Sequence, residues 1–120
     1  MKTRSKKAKG RRLQDWVRNN LVKLCGVKPD AVRTAIMGER GVDVQLLTEE
    51  AKQLFPFRIE CKNQEKFKAL YEDYKQAQAH REQGEPLLII KKNGEQPLAV
   101  VDAVYFMELI KNYNESSGGM

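Results

Sequence analysis

Asp43 stands between Val42 and Val44, and seventeen residues later comes Glu60-Cys61-Lys62. On a β-strand successive side chains point to opposite faces, so Glu60 and Lys62 share one face while Ile59 and Cys61 take the other. Asp43 turns away from its flanking valines in the same way. If the two strands are neighbours, two carboxylates and an ammonium gather in the middle of a sheet. Burying charge there costs several kcal/mol per ion unless partners or a metal compensate. Paired carboxylate oxygens are hard ligands suited to Mg²⁺, which keeps coordination positions for water and a phosphate oxygen. An amine two residues beyond the second acid can orient an attacking water or stabilise charge developing on phosphorus. The same spacing also fits an ordinary ion pair on a polar strand face.

Those side chains need elements to hold them. Leu13, Trp16, Val17, Leu21 and Leu24 recur at helical spacing and predict an amphipathic helix over residues 11–25, stopped at Gly26. After a turn at Pro29-Asp30, Ala31–Met37 and Val42–Leu47 read as a hairpin around Gly38-Glu39-Arg40-Gly41. Thr48 can cap a short helical turn through Leu54, which Pro56 cannot continue. Phe57–Lys62 reads as a third strand, followed by a long helix over 64–82 with Phe67, Leu70, Tyr71, Tyr74 and Ala77 on one face. Leu87–Lys91 is a nearly continuous apolar run, as expected of a strand covered on both faces. Asn93-Gly94 turns the chain into Leu98–Val101. Asp102 can cap a last helix carrying Phe106, Leu109, Ile110 and Tyr113. The spacing puts Trp16, Phe106, Leu109 and Ile110 in the core, with no ligand role. The order α-β-β-β-α-β-β-α predicts an α/β fold, one mixed central sheet flanked by helices.

The chain has 120 residues, 41% hydrophobic and 32% charged, which excludes a wholly disordered chain; no run of apolar residues is long enough to span a membrane. The basic N-terminus lacks the apolar segment of a secretory signal, so a cytoplasmic location and no membrane partner are expected. Residues 1–12 hold seven of the 22 basic groups and none of the 16 acidic ones, leaving the rest within one charge of neutral. A flexible basic arm over residues 1–9 follows, suited either to a polyanion or to a solubilising role. Cys25 and Cys61 are too sparse for a disulfide scaffold or a cysteine-rich zinc site, and buried thiols are the default. The single histidine, His80, supplies little for a His-based metal site or a catalytic triad. Surface placement suits it, as a solvated turn suits Glu39 and Arg40.

Asp43 followed by Glu60-Cys61-Lys62 resembles the D…(D/E)xK signature of the PD-(D/E)XK nuclease superfamily. Gly10-Arg11-Arg12-Leu13-Gln14-Asp15-Trp16, Met37-Gly38, Gly41-Val42-Asp43-Val44, Phe55-Pro56 and Glu60-Cys61-Lys62-Asn63-Gln64 together resemble small phage-encoded nucleases of that superfamily. Those are similar in turn to archaeal Holliday-junction resolvases. The likeness covers roughly residues 10–112. It implies a restriction-endonuclease-like α-β-β-β-α-β core in a domain over residues 10–114, with a flexible tail over 115–120. It also implies a metal-dependent DNA endonuclease, structure-selective and acting on branched DNA. Asp43 and Glu60 would ligate Mg²⁺, with Mn²⁺ as substitute, and Lys62 would be the catalytic lysine.

In the resolvase-like branch a glutamate on the first helix often joins these residues; the matching position here is Gln14, a poorer ligand for Mg²⁺. Helical geometry puts Gln14 about 60° from Val17 and Asp15 nearly opposite, so Gln14 can look toward the sheet. Superfamily members frequently carry a glutamine on the helix after the lysine. Of Gln76 and Gln78, Gln78 lies within about 40° of Tyr74 and is favoured. Lys6, Lys7, Lys9, Arg11, Arg12 and Arg18 are the expected contacts to backbone phosphates, which give affinity without reading sequence. A homodimer is expected because symmetric cutting of a junction needs two sites. The rivals are a non-catalytic nucleic-acid-binding module on the same fold, weakened by Gln14, and an interaction protein whose acidic–lysine face is a salt-bridge network.

Overall fold

The computed structural model describes residues 3–36, 42–79 and 84–118, so the expected turn with Glu39 and Arg40, and His80 and Arg81, lie outside the described residues. The fold is mixed α/β, with four α-helices and two separate two-stranded antiparallel sheets. The strands therefore pair as two small hairpins where the sequence predicts one mixed sheet. The chain divides into two compact units, Met1–Asn63 with Met107–Met120, and Gln64–Phe106.

In the first unit, helix α1 spans Thr3–Cys25. It begins well inside the expected arm, because Lys, Arg and Ala are strong helix formers whatever their polarity. Gly26 ends it with a φ of 74°, a left-handed conformation that costs glycine little, and the Val27 N–H returns to Leu21 O. Strands β1 (Val32–Thr34) and β2 (Val44–Leu46) pair with Val32 opposite Leu46 and Thr34 opposite Val44. Helix α1 packs against both strands. Leu21, Val27 and Val44 are fully buried, with Cys25, Ala31, Val32, Ala51, Phe55 and Met107 around them.

Helix α2 (Glu49–Leu54) is capped as its sequence predicts. The Thr48 side chain accepts from Ala51 N at 3.1 Å, and Pro56 follows the last turn. The expected strand over 57–62 contracts to a single antiparallel bridge between Ile59 and Val44. Pro56 has no N–H to give a ladder, and the Phe57 N–H turns back to Phe55 O at 2.8 Å. Asn114 then ties the last helix down by donating to Leu54 O at 2.7 Å.

In the second unit, a 3₁₀ turn at Glu65–Phe67 leads into α3 (Lys68–Gln78). Strands β3 (Leu88–Ile90) and β4 (Leu98–Val100) form a hairpin with Ile89 opposite Ala99. Gly94 turns it at a φ of 84°. Asp102 caps α4 (Ala103–Gly118) by accepting from Tyr105 N at 2.9 Å. Leu87 and Ile89 are exposed, so the run at 87–91 is not covered on both faces as predicted. Trp16 and Leu109, placed in the core by spacing, are exposed as well; among the described residues of α4, Met107 is the buried one. Among the described residues, no helix is long and apolar enough to cross a membrane.

Candidate metal and nucleic-acid site

Asp43 is fixed from three directions. Its carbonyl accepts the Ala35 N–H at 2.8 Å, its own N–H donates to Ile59 O at 2.9 Å, and its carboxylate Oδ2 accepts the Cys61 N–H at 2.7 Å. A charge-assisted bond of that length holds the rotamer as well as the strand. The acid thus joins the end of β2 to the segment carrying Glu60 and Lys62, and leaves Oδ1 uncommitted to that bond.

Along that segment Ile59 and Cys61 are half-buried while Glu60 and Lys62 are exposed. The alternation predicted for a strand survives although only one bridge forms. Cys61 reports on both acids. Burial first, then the negative charges of Asp43 and Glu60, push its thiol up to about 11. Cys61 faces away from Glu60 and Lys62 along the segment, and at neutral pH its thiol is protonated. The donors offered are carboxylate oxygens, a set for Mg²⁺ or Mn²⁺ and not for a thiophilic ion. Among the described residues, neither Glu60 nor Lys62 enters an ion pair. No group of three or more His, Cys, Asp or Glu that would hold a metal occurs among the described residues.

Gln14 is half-buried on α1 and Asp15 is exposed, as helical geometry predicts, but no hydrogen bond joins Gln14 to either acid among the described residues. Gln76 and Gln78 lie on α3 in the other unit and both are exposed, so burial does not distinguish them. Gln64 closes the Glu60-Cys61-Lys62-Asn63-Gln64 motif but is given no role by the sequence. Its Oε1 is buried with no hydrogen-bond partner among the described residues, an unusual state for a side-chain carbonyl.

An open groove of about 610 Å³ lies beside Val42, Val44, Leu47, Phe55 and Phe57, with Lys52 and Arg58 at its rim. Asp43, Glu60 and Lys62 do not line it. Val42 and Val44 face the groove, as alternation about Asp43 requires. The phenyl rings of Phe55 and Phe57 meet edge to face there, 4.8 Å apart.

Of the expected phosphate contacts, Lys9, Arg11 and Arg12 are exposed along α1, and Lys6 and Lys7 lie in the same helix. Arg18 is half-buried and partly committed, donating to Pro29 O at 2.7 Å and to Asn19 Oδ1 at 3.1 Å. It anchors α1 to the turn before β1. No protein-family model, curated protein or solved structure matches the chain.

Proposed function

We propose that the chain is a metal-dependent DNA endonuclease built on a restriction-endonuclease-like core, hydrolysing phosphodiester bonds in branched DNA. The observation that carries this reading is the Cys61 N–H bond to Asp43, which draws the acid of one segment to the segment bearing the second acid and the lysine. Asp43 and Glu60 would hold a divalent cation by carboxylate oxygens. Such an ion, when bound, supplies Lewis-acid polarisation of a phosphate and a water of lowered pKa. Lys62, exposed and outside any ion pair among the described residues, has its ammonium to orient the attacking water or to balance charge on the phosphoryl oxygens. The bond from Cys61 N–H keeps the Asp43 carboxylate from swinging, so its position is set before substrate arrives. The basic residues of α1 grip backbone phosphates without reading sequence.

The test is cleavage of four-way, nicked and linear DNA with Mg²⁺ or Mn²⁺, beside Asp43→Ala and Lys62→Ala. We expect each substitution to lower the cleavage rate by more than about a hundredfold. Two carboxylates with a neutral Gln14 favour a second reading, a nucleic-acid-binding module without catalysis. Binding without cutting under every metal condition would establish that one instead.

A further inference from the structure

Trp16 is 41% exposed, and its surroundings on α1 are specific. At 100° per residue, Lys9, Arg12, Trp16, Asn19 and Lys23 fall within a sector of about 80° that runs about 21 Å along the helix. All five are exposed. The opposite side of the helix is the packed one: Leu21, fully buried, lies about 140° around from Trp16. No acidic residue falls within the strip; Asp15 is about 100° away from Trp16. A lone exposed apolar side chain needs no explanation, but an indole between three cations on one uncovered strip has the composition of a nucleic-acid platform.

We propose that this face of α1 binds single-stranded nucleic acid, with Trp16 stacking on an unpaired base and Lys9, Arg12 and Lys23 on the flanking phosphates. Every base has a π-face, so stacking on an indole tolerates any sequence, while the cations supply attraction to the backbone. A duplex keeps its bases stacked on one another and offers this strip only phosphates. The occupant is therefore a strand with unpaired bases, free or at the centre of a branch. The inference deepens the nucleic-acid part of the function proposed above and does not depend on cleavage.

Trp16 is the only tryptophan in the chain, so its emission reads this one position. The full chain is titrated in EDTA with an oligothymidine single strand and, separately, with a blunt duplex. Affinities of the variants are read from the anisotropy of fluorescein-labelled strands. We expect the single strand to quench Trp16 and the duplex to leave it nearly unchanged. Trp16→Ala should weaken single-strand binding about tenfold with the salt dependence unaltered, and Trp16→Phe should recover most of the loss. Lys9→Ala and Arg12→Ala should each reduce the slope of log affinity against log salt by about 0.7. Unchanged single-strand affinity in Trp16→Ala, with DNA still bound, would overturn the stacking inference and leave the nuclease reading standing. Failure to bind either DNA at low salt would overturn both. An Asp43→Ala variant that no longer cuts but is still quenched would support the strip as separate from the acidic site.

Discussion

The two compact units differ in how their apolar residues are used. All nine buried hydrophobic residues described belong to the unit built from α1, β1, β2, α2 and the later part of α4. Among its described residues, the unit over Gln64–Phe106 contains none, and it leaves Tyr71, Leu87, Ile89 and Leu98 exposed. Each unit has an antiparallel hairpin and one side-chain helix cap, Thr48 for α2 in the first and Asp102 for the opening turn of α4 in the second. The difference teaches that hairpins and caps specify local form, whereas stability follows the apolar area removed from water. Asp43 and Glu60 sit in the unit that has the core. A fully buried neighbour, Val44, holds the strand that presents Asp43.

The contrast can be broken most directly at its centre. Leu21→Ala should cost about 2–5 kcal/mol of unfolding free energy by urea titration, while Ile89→Ala should stay within about 0.5 kcal/mol. Comparable losses would mean that the second unit buries its hairpin after all. A sharper version uses the caps. Thr48→Ala should lower global stability by about 1 kcal/mol, whereas Asp102→Ala should speed amide exchange at Tyr105 and Phe106 with a smaller shift of the urea midpoint.

A pH-dependent effect, confined to alkaline conditions, concerns Cys61. Its thiol pKa in the folded chain, about 11, lies above the ordinary value of 9.0. The folded state therefore holds that proton more tightly than the unfolded one. This contribution is fully present below pH 9 and is lost as pH rises from 9 toward 11. We expect the stability difference between wild type and Cys61→Ser to shift against wild type over that interval, measured by urea unfolding at several pH values. Cys25, also raised, chiefly by burial, supplies an internal comparison through Cys25→Ser.

Features settled by local chemistry were legible in the sequence. Thr48 and Pro56 bracket α2, Gly26 ends α1, Asn93-Gly94 turns the second hairpin and Asp102 opens α4. In each case a few adjacent atoms decide the outcome. Periodicity was less informative, because it says which residues share a face and not whether that face finds a partner. Trp16 sits at the margin of the apolar arc of α1, and nothing in the spacing reveals that the arc closes over the core before reaching it. Leu87–Lys91 has the composition of a doubly covered strand, but covering depends on other elements. Asp43 and Glu60 stood out in the sequence by their spacing. The clamp on Asp43 did not, because the N–H that holds it belongs to the backbone of Cys61 and depends on how two distant segments meet.

Helix α1 has no acidic residue in its first turn, and the residues that precede Leu13 include only cations among their charges. The amino end of a helix already carries partial positive charge. Like sign is thus stacked on like sign, and those opening turns hold their winding less firmly in dilute buffer than in the company of anions. Ellipticity at 222 nm should rise as sulfate or a polyphosphate is added, and the gain should vanish in a chain shortened to begin at Leu13. A segment that looks like a passive handle would then behave as an ion-responsive spring, drawn taut by anions in the surrounding buffer.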